Sequence, residues 1–169
     1  MKKYFTLLAA VLLLISCGKK TNVNNITVKD ISDLNTALAN AKPGDEIVMT
    51  NGDWKNVNIK FVAYGNQQNP ITLKAETPGE VKITGTSDLK IGGEYLIVDG
   101  LHFVNGASPT DAVIDFGIDQ DTVANHCKVI NSAITDFNKA QRNMTDLWVR
   151  FRGRHNELDH CYIEGKSNR

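Results

Sequence analysis

The segment from Trp148 to His155 carries the residues best suited to bind a charged ligand. It reads Trp148-Val149-Arg150-Phe151-Arg152-Gly153-Arg154-His155. Side chains alternate faces along a strand, so Trp148, Arg150 and Arg152 would share one face. Guanidinium groups pair with carboxylates through two parallel hydrogen bonds, and an aromatic neighbour would suit a sugar chain that bears carboxylates. The alternative is a solvated face on which Arg150 pairs with Asp115 of a neighbouring strand.

The other residues that could do chemistry show no catalytic or metal-binding spacing. The histidines are His102, His126, His155 and His160. None of them has the spacing of a carboxylate–histidine–nucleophile set, so structural roles are favoured. The run Asp119-Gln120-Asp121 lacks the glycine and the distal glutamate of an EF-hand loop, which favours a polar turn. From these spacings we predict no catalytic residue and no metal ligand within this chain.

The elements that must position these residues follow a repeat. Three segments each read as a short apolar strand, a turn, an acidic or amide residue and a second short strand. The residues that open the second strands are Asp99, Asn131 and Asp159, at separations of 32 (131 − 99) and 28 (159 − 131). A repeat of this size made of short strands is typical of a solenoid. The middle repeat predicts a seven-residue insertion within 117–126, in a loop on one side of the stack.

The strand pattern also predicts which side chains stack. Residues with the same place in successive repeats should lie about 4.8 Å apart. The predicted inward column is Ile91, Phe116 and Phe151, and the predicted outward column is Lys90, Asp115 and Arg150. An antiparallel sandwich is compatible with short strands too, but it gives no reason for the repeat. Before the strands, Leu34, Ala37, Leu38 and Ala41 have helical spacing. They predict a helix that Ser32 caps at its N-terminus and that runs to Ala41, where it covers the first turn of the solenoid.

The N-terminus has the features of an export signal. Lys2 and Lys3 precede a short apolar run, and Leu14-Ile15-Ser16-Cys17 resembles a lipobox. The run is shorter than the ~20 residues of a spanning helix, which disfavours a transmembrane anchor. We therefore predict a signal peptide over 1–16, a lipidated Cys17 with a tether over 17–25, and a solenoid over 26–169. The expected location is that of an exported bacterial lipoprotein, held on a membrane through its lipid in the periplasm or at the cell surface.

Charge and cysteine content exclude some partners. The chain has 19 basic and 19 acidic residues, a balance that disfavours nucleic acid as a partner. A monomer is expected.

Cys127 and Cys161 could form a disulfide in an oxidising compartment, but each lies among apolar strand residues, and free buried thiols are favoured.

Several motifs resemble polysaccharide lyase family six, which contains alginate lyases and chondroitinase B. They are Lys42-Pro43-Gly44-Asp45-Glu46-Ile47, Asn69-Pro70-Ile71-Thr72-Leu73-Lys74-Ala75, Val98-Asp99-Gly100-Leu101-His102-Phe103 and Leu158-Asp159-His160-Cys161-Tyr162-Ile163-Glu164-Gly165-Lys166-Ser167-Asn168. The resemblance implies a right-handed parallel β-helix and β-elimination at a uronate of an acidic polysaccharide. In that family a calcium ion holds the substrate carboxylate, a lysine removes the C5 proton and an arginine assists departure of the leaving sugar.

The family's calcium and catalytic motifs are missing from this sequence. It contains no Glu-x-Glu, and Arg154-His155 follows a glycine in a turn. The resemblance therefore implies that the calcium ligands and catalytic residues lie beyond Arg169, in a parent enzyme of which this chain would be the truncated, inactive N-terminal part. The expected substrate is alginate, with dermatan sulfate (chondroitin B) second. A lipid-anchored polysaccharide-binding or adhesion module, and a surface protein without a ligand, are the alternatives.

Overall fold

The computed structural model describes residues 23–167 of the 169-residue chain. The predicted signal peptide, the lipidation of Cys17 and most of the tether lie outside the described residues. No helix within 23–167 is long and apolar enough to cross a membrane.

The described residues form a parallel β-solenoid of about four turns with one short helix, which confirms the predicted fold class. Three parallel sheets form its faces, and successive turns add strands to these sheets in the same order along the chain. Sheet 1 contains β1 (Asn24–Val28), β2 (Asp45–Met49), β5 (Ile71–Ala75), β8 (Leu96–Asp99), β12 (Lys128–Ile130) and β15 (Glu157–Asp159). Sheet 2 contains β3 (Gly52–Lys55), β6 (Val81–Thr86), β9 (Leu101–Ala107), β13 (Ala133–Phe137) and β16 (Tyr162–Glu164). Sheet 3 contains β4 (Asn58–Tyr64), β7 (Asp88–Glu94), β10 (Ala112–Asp115) and β14 (Leu147–Arg150), with β11 (Ala124–Asn125) also pairing with β7.

The core consists of inward columns in which each side chain lies on its counterpart in the next turn. One column of sheet 2 is Trp54, Ile83, Phe103, Ile134 and Ile163. The column of sheet 3 is Ile59, Leu89, Ile114 and Val149. Apolar and polar residues alternate along these short segments. Because side chains alternate faces along a strand, this pattern favours half-buried strands over helix.

A single helix covers the N-terminal end of this core. It is α1 (Ile31–Ala39), and it buries Leu34, Ala37 and Leu38. The carboxylate of Asp30 accepts hydrogen bonds from the backbone N–H groups of Ser32 and Asp33, both at 2.9 Å. Asp30 is therefore the N-cap, and the prediction that Ser32 caps the helix is wrong by two residues.

The predicted pairing is confirmed in sheet 3 and is one residue out in sheet 1. Ile114 pairs with Leu89 and Val149, and Asp115 pairs with Lys90 and Arg150. In sheet 1, however, Asp99 and Asp159 pair with Ile130 instead of the predicted Asn131.

Asn131 instead shares its place with Gly100 and His160, and all three have positive φ angles, of 50°, 78° and 49°. The turn requires the left-handed conformation there, and asparagine adopts it as glycine does. Because 14 residues separate Phe116 from Ile130 and 8 separate Ile91 from Asp99, the insertion has six residues rather than seven.

Two members of the predicted columns differ in burial from the expectation. Phe151 stacks on Phe116 with ring centroids 4.7 Å apart, yet 53% of Phe151 is exposed because no described strand lies above it. Asp115 has the predicted outward register, but it is only 1% exposed. Two arginine side chains cover it.

Candidate functional site

Arg150 and Arg152 converge on the carboxylate of Asp115. Arg150 donates to Asp115 Oδ2 from Nε at 3.1 Å and from a terminal nitrogen at 2.5 Å. Arg152 donates to the same oxygen at 3.2 Å, and its Nε lies 3.2 Å from Asp115 Oδ1. That Oδ1 is buried and accepts no hydrogen bond of good geometry, so the Arg152 ion pair alone balances it.

This cluster is the paired arrangement that the sequence offered as the alternative to ligand binding. The hydrogen bonds to Asp115 raise the pKa of Arg150, with a further contribution from Asp111. Arg152 is held on its other side by the carbonyl of Asp119, at 3.0 Å. Each guanidinium side chain keeps about a quarter of its surface exposed (26%). Contact between these arginines and an acidic ligand stays a prediction.

Trp148 lies beside this cluster but is covered. Its indole N–H donates to the carbonyl of Phe137 at 2.6 Å, and Lys166 Nζ lies 5.2 Å from the ring centroid. Only 7% of the residue is exposed. Trp148 belongs to the buried hydrophobic cluster, and this burial argues against the predicted contact with a sugar.

The six-residue insertion forms a small hairpin. Gly117 bridges to Val123 in antiparallel fashion, and the N–H of Ile118 donates to the carbonyl of Thr122. The Asp119 carboxylate accepts from the N–H groups of Thr122 and Asp121, and these bonds lower its pKa. The run Asp119-Gln120-Asp121 is therefore a turn. Residues 23–167 contain no group of three or more His, Cys, Asp or Glu side chains that could hold a metal ion.

A feature that the sequence reasoning missed lies at the corner between sheets 3 and 1. The rings of Tyr95 and His126 stack with centroids 4.8 Å apart, and those of His126 and His155 stack at 4.6 Å. We call these three residues the ring stack. They are 31 and 29 residues apart (126 − 95 and 155 − 126), and each lies one or two residues before a strand of sheet 1. This regular spacing of ring-bearing residues was the feature of the sequence from which the ring stack could have been predicted.

Two open cavities share the ring stack as a common wall. The first, of about 570 Å³, is also lined by Glu94, Asn125 and Arg154. The second, of about 390 Å³, is also lined by Gln67, Lys128 and Glu157.

The remaining histidines and the cysteines have structural surroundings. His102 Nε2 lies 2.7 Å from Thr135 Oγ1, and burial together with Lys82 lowers its pKa. His160 pairs with Asp159 at 2.8 Å. Cys127 and Cys161 are both free thiols; Cys127 is buried, as predicted, whereas Cys161 is only half-buried. Burial raises the pKa of Cys127 to about 11.

Comparisons with known proteins agree with this architecture. The sequence profile of the family described as Chondroitinase B matches residues 28–169. Among solved structures, the PL6 family alginate lyase AlyGC is 42% identical with a TM-score of 0.83, over 85% of this chain and 20% of the other. The PL6 lyase Pedsa3628 from Pseudopedobacter saltans is 40% identical with a TM-score of 0.75, over 88% of this chain and 32% of the other. No curated protein matches the chain.

A third similar structure is described as a mannuronic acid specific family 6 lyase from human gut microbiota. It is 32% identical with a TM-score of 0.80, over 86% of this chain and 35% of the other. The chain thus spans about a fifth to a third of the length of these lyases. With a family profile matched over residues 28–169 and the same solenoid fold, the chain belongs to the Chondroitinase B family, polysaccharide lyase family six.

Proposed function

We propose that this chain forms the N-terminal turns of a polyuronate lyase that cleaves alginate by β-elimination. The observation that carries the proposal is the match to family-six alginate lyases at 42% identity over 85% of the chain. Dermatan sulfate is the second candidate substrate, because the matching family profile bears the name of chondroitinase B. The ligand class in either case is an acidic polysaccharide.

The chain's own contribution is a closed end and a rigid stack. Helix α1 seals the first turn, and the continuous columns of sheets 1 to 3 fix the spacing of the turns that follow. Arg150, the last residue of β14, and Arg152, two residues after it, are held in place by Asp115. We propose that they contribute positive charge beside the substrate path and act through electrostatic attraction rather than proton transfer.

The residues described here do not fit a calcium site. The family resemblance implies calcium, but residues 23–167 contain no cluster of carboxylates and histidines that could bind it. We propose that calcium ligands and the proton-abstracting base come from turns that follow Arg169. No catalytic step is assigned to residues of this chain.

Export, lipidation of Cys17 and a monomeric state are part of the same proposal. The lipobox at Leu14-Ile15-Ser16-Cys17 supports a membrane-tethered enzyme in the periplasm or at the cell surface. Mass spectrometry of the protein purified from membranes would test this, because diacylation of Cys17 would add the mass of the lipid, and cleavage of the peptide bond before Cys17 would remove residues 1–16.

The function is tested by reading the open reading frame beyond Arg169 and assaying its product. We expect a following Asn, then Glu-x-Glu with a nearby lysine, then Arg-His. The product should raise the ultraviolet absorbance of unsaturated uronate ends on alginate, and a calcium chelator should abolish the rise. The 169-residue chain alone should give no rise. Turnover by the 169-residue chain would overturn the placement of the catalytic turns. A longer product that binds alginate without cleaving it would support the binding-module alternative.

A further inference from the structure

Two lysines face each other across neighbouring strands of sheet 3. Lys60 on β4 pairs in register with Lys90 on β7. Within residues 23–167, every other register that joins two residues of the types Asp, Glu, Lys and Arg joins opposite signs. These pairs are Asp53 with Lys82, Lys74 with Asp99, Lys90 with Asp115, Asp115 with Arg150, and Lys128 with Glu157. Like charges at opposed places of a sheet repel, so this pair costs the fold stability.

The charge of the two lysines is not neutralised by the fold. Among the described residues, neither Lys60 nor Lys90 forms an ion pair. They line an open cavity of about 330 Å³ with Asp88, which is only 3% exposed. The two carboxylate oxygens of Asp88 accept from Asn58 Nδ2 at 3.0 Å and from Thr110 Oγ1 at 2.8 Å. Even with Asp88 ionised, two ammonium groups face one carboxylate, and the cavity has a net charge of +1 (2 − 1).

Two walls rise from sheet 3 on either side of Lys90. On one side Pro109 and Thr110 line the cavity, and the hydrogen bond from Thr110 fixes this segment to the sheet. On the other side the hairpin of residues 117–123 rests on Gly92. A Cβ at Gly92 would lie 2.9 Å from Cγ2 of Thr122 and 3.0 Å from Cγ1 of Ile118. We call the space between these walls, with Lys60 and Lys90 on its floor, the lysine groove.

The lysine groove continues along the outward column of sheet 3. Lys60, Lys90, Asp115 and Arg150 occupy successive strands in register, at a spacing of about 4.8 Å. Asp115 is 1% exposed, so its charge is covered where it interrupts the row. The groove therefore presents cationic groups on the first, second and fourth strands, which suits an extended ligand with repeated negative charges.

The lysines supply the excess of positive charge in this row. At its far end, Arg150 and Arg152 are offset by Asp115 and by Asp111, which lies 3.5 Å from Arg150. The two arginines are thus already engaged, whereas the ammonium groups of the lysines are not. An anion that enters the groove gains most from Lys60 and Lys90.

We propose that the lysine groove is a binding subsite for the carboxylates of an acidic sugar chain that runs across the strands of sheet 3 toward Arg150. A carboxylate between Lys60 and Lys90 accepts charge-assisted hydrogen bonds from both and removes their mutual repulsion. This inference rests on the proposed function for the ligand class. It places part of the sugar chain on the turns nearest helix α1, away from the turns after Arg169 to which catalysis is assigned.

An anionic membrane surface is the other acidic partner that lysines near the N-terminal end could meet. The walls favour a single chain, because a flat surface does not reach a floor that lies between Thr110 and the hairpin. The two partners are separated by experiment below.

The experiment is calorimetric titration of the 169-residue chain with a purified oligomannuronate at low salt. The double variant Lys60→Gln/Lys90→Gln removes both charges and keeps polar side chains. We expect about tenfold weaker binding, the worth of one charge-assisted hydrogen bond, and affinity of the unaltered chain that falls as salt is raised. The matched control is Lys55→Gln/Lys82→Gln, which removes the same charge from exposed positions of sheet 2. It should bind as the unaltered chain does.

Thermal unfolding gives a readout that a purely structural role would reverse. Lys60→Gln relieves the repulsion with Lys90, so the midpoint of unfolding should stay the same or rise. Oligomannuronate should raise the midpoint of the unaltered chain more than that of the double variant. A lower midpoint for Lys60→Gln without ligand would show that the lysine stabilises the fold, and would overturn the inference.

Three binding results would also overturn it. They are no binding by the unaltered chain, equal binding by the double variant, and equal binding of a neutral oligosaccharide of the same length. If vesicles with an anionic lipid bound the unaltered chain but not the double variant, and oligomannuronate bound neither, the lysines would serve a membrane instead. Lyase activity of the longer product is measured separately, so this inference and the proposed function can fail independently.

Discussion

The two ends of the solenoid carry similar apolar columns and bury them very differently. At the N-terminal end, helix α1 lies over the first turn, and Leu34 and Ile47 are fully buried. At the other end, Ile163 and Phe151 continue columns that are buried in every earlier turn, yet they are 43% and 53% exposed. Side-chain type is the same at both ends. Burial therefore depends on the neighbouring turn.

This difference shows how stability is distributed along a solenoid. Each turn contributes its own strands and an interface with the next turn, so a turn with one neighbour is held by one interface. The last strands also present unpaired backbone N–H and C=O groups.

The largest effect should come from a matched pair of truncations in one column. Phe103→Ala removes a fully buried ring between two turns, and should lower the free energy of unfolding by about 3–5 kcal/mol. Ile163→Ala, in the same column at the exposed end, should cost under about 1 kcal/mol. Urea denaturation measures both. Equal losses would mean that the last turn is as well packed as the middle.

Next in size is the removal of the charge between the two arginines. Asp115→Asn keeps the shape of the side chain and leaves Arg150 and Arg152 without their shared counter-charge. We expect a loss of about 2 kcal/mol, below the range for fully buried pairs because both guanidinium groups reach solvent. Asp121→Asn, at an exposed carboxylate of the hairpin, is the control and should leave stability unchanged. If Asp115→Asn left the free energy of unfolding unchanged, the two arginines would not depend on this carboxylate.

A smaller effect distinguishes the observed helix cap from the expected one. Asp30→Ala should destabilise the closed end by about 1 kcal/mol, because two backbone N–H groups lose their acceptor. Ser32→Ala removes the residue that the sequence suggested as the cap and should change little. If Ser32→Ala were the more damaging change in thermal unfolding, the assignment of the cap to Asp30 would fail.

The sequence predicted the fold and much of sheet 3 because apolar residues alternate there with a constant period. The pairs Leu89–Ile114 and Lys90–Asp115 follow from that period alone. The predicted pairing at Asn131 was one residue out because the equivalent position in each turn is left-handed and holds glycine, asparagine or histidine. Residue type therefore did not identify the equivalent positions. An aspartate preceding it in two turns but not in the third misled the alignment.

The candidate site was less predictable because burial and ring stacking depend on contacts between distant segments. Outward register suggested that Trp148 was available, but Phe137 and Lys166 cover it. The ring stack combines residues 29 and 31 positions apart whose types suggest no common role. Only the stacking of turns brings them together.

The central claim is that the solenoid is covered at its N-terminal end and uncovered at the end of the described residues. Hydrogen exchange of the backbone amides tests this claim most directly. Amide protection should be high from Leu73 to Ile91 and should fall steadily toward Ile163, because each later turn has fewer turns above it. The soluble 169-residue chain should also tend to aggregate through the exposed last strands. Uniform protection through Ile163 in a soluble monomer would contradict the account, since the last turn would then need no neighbour.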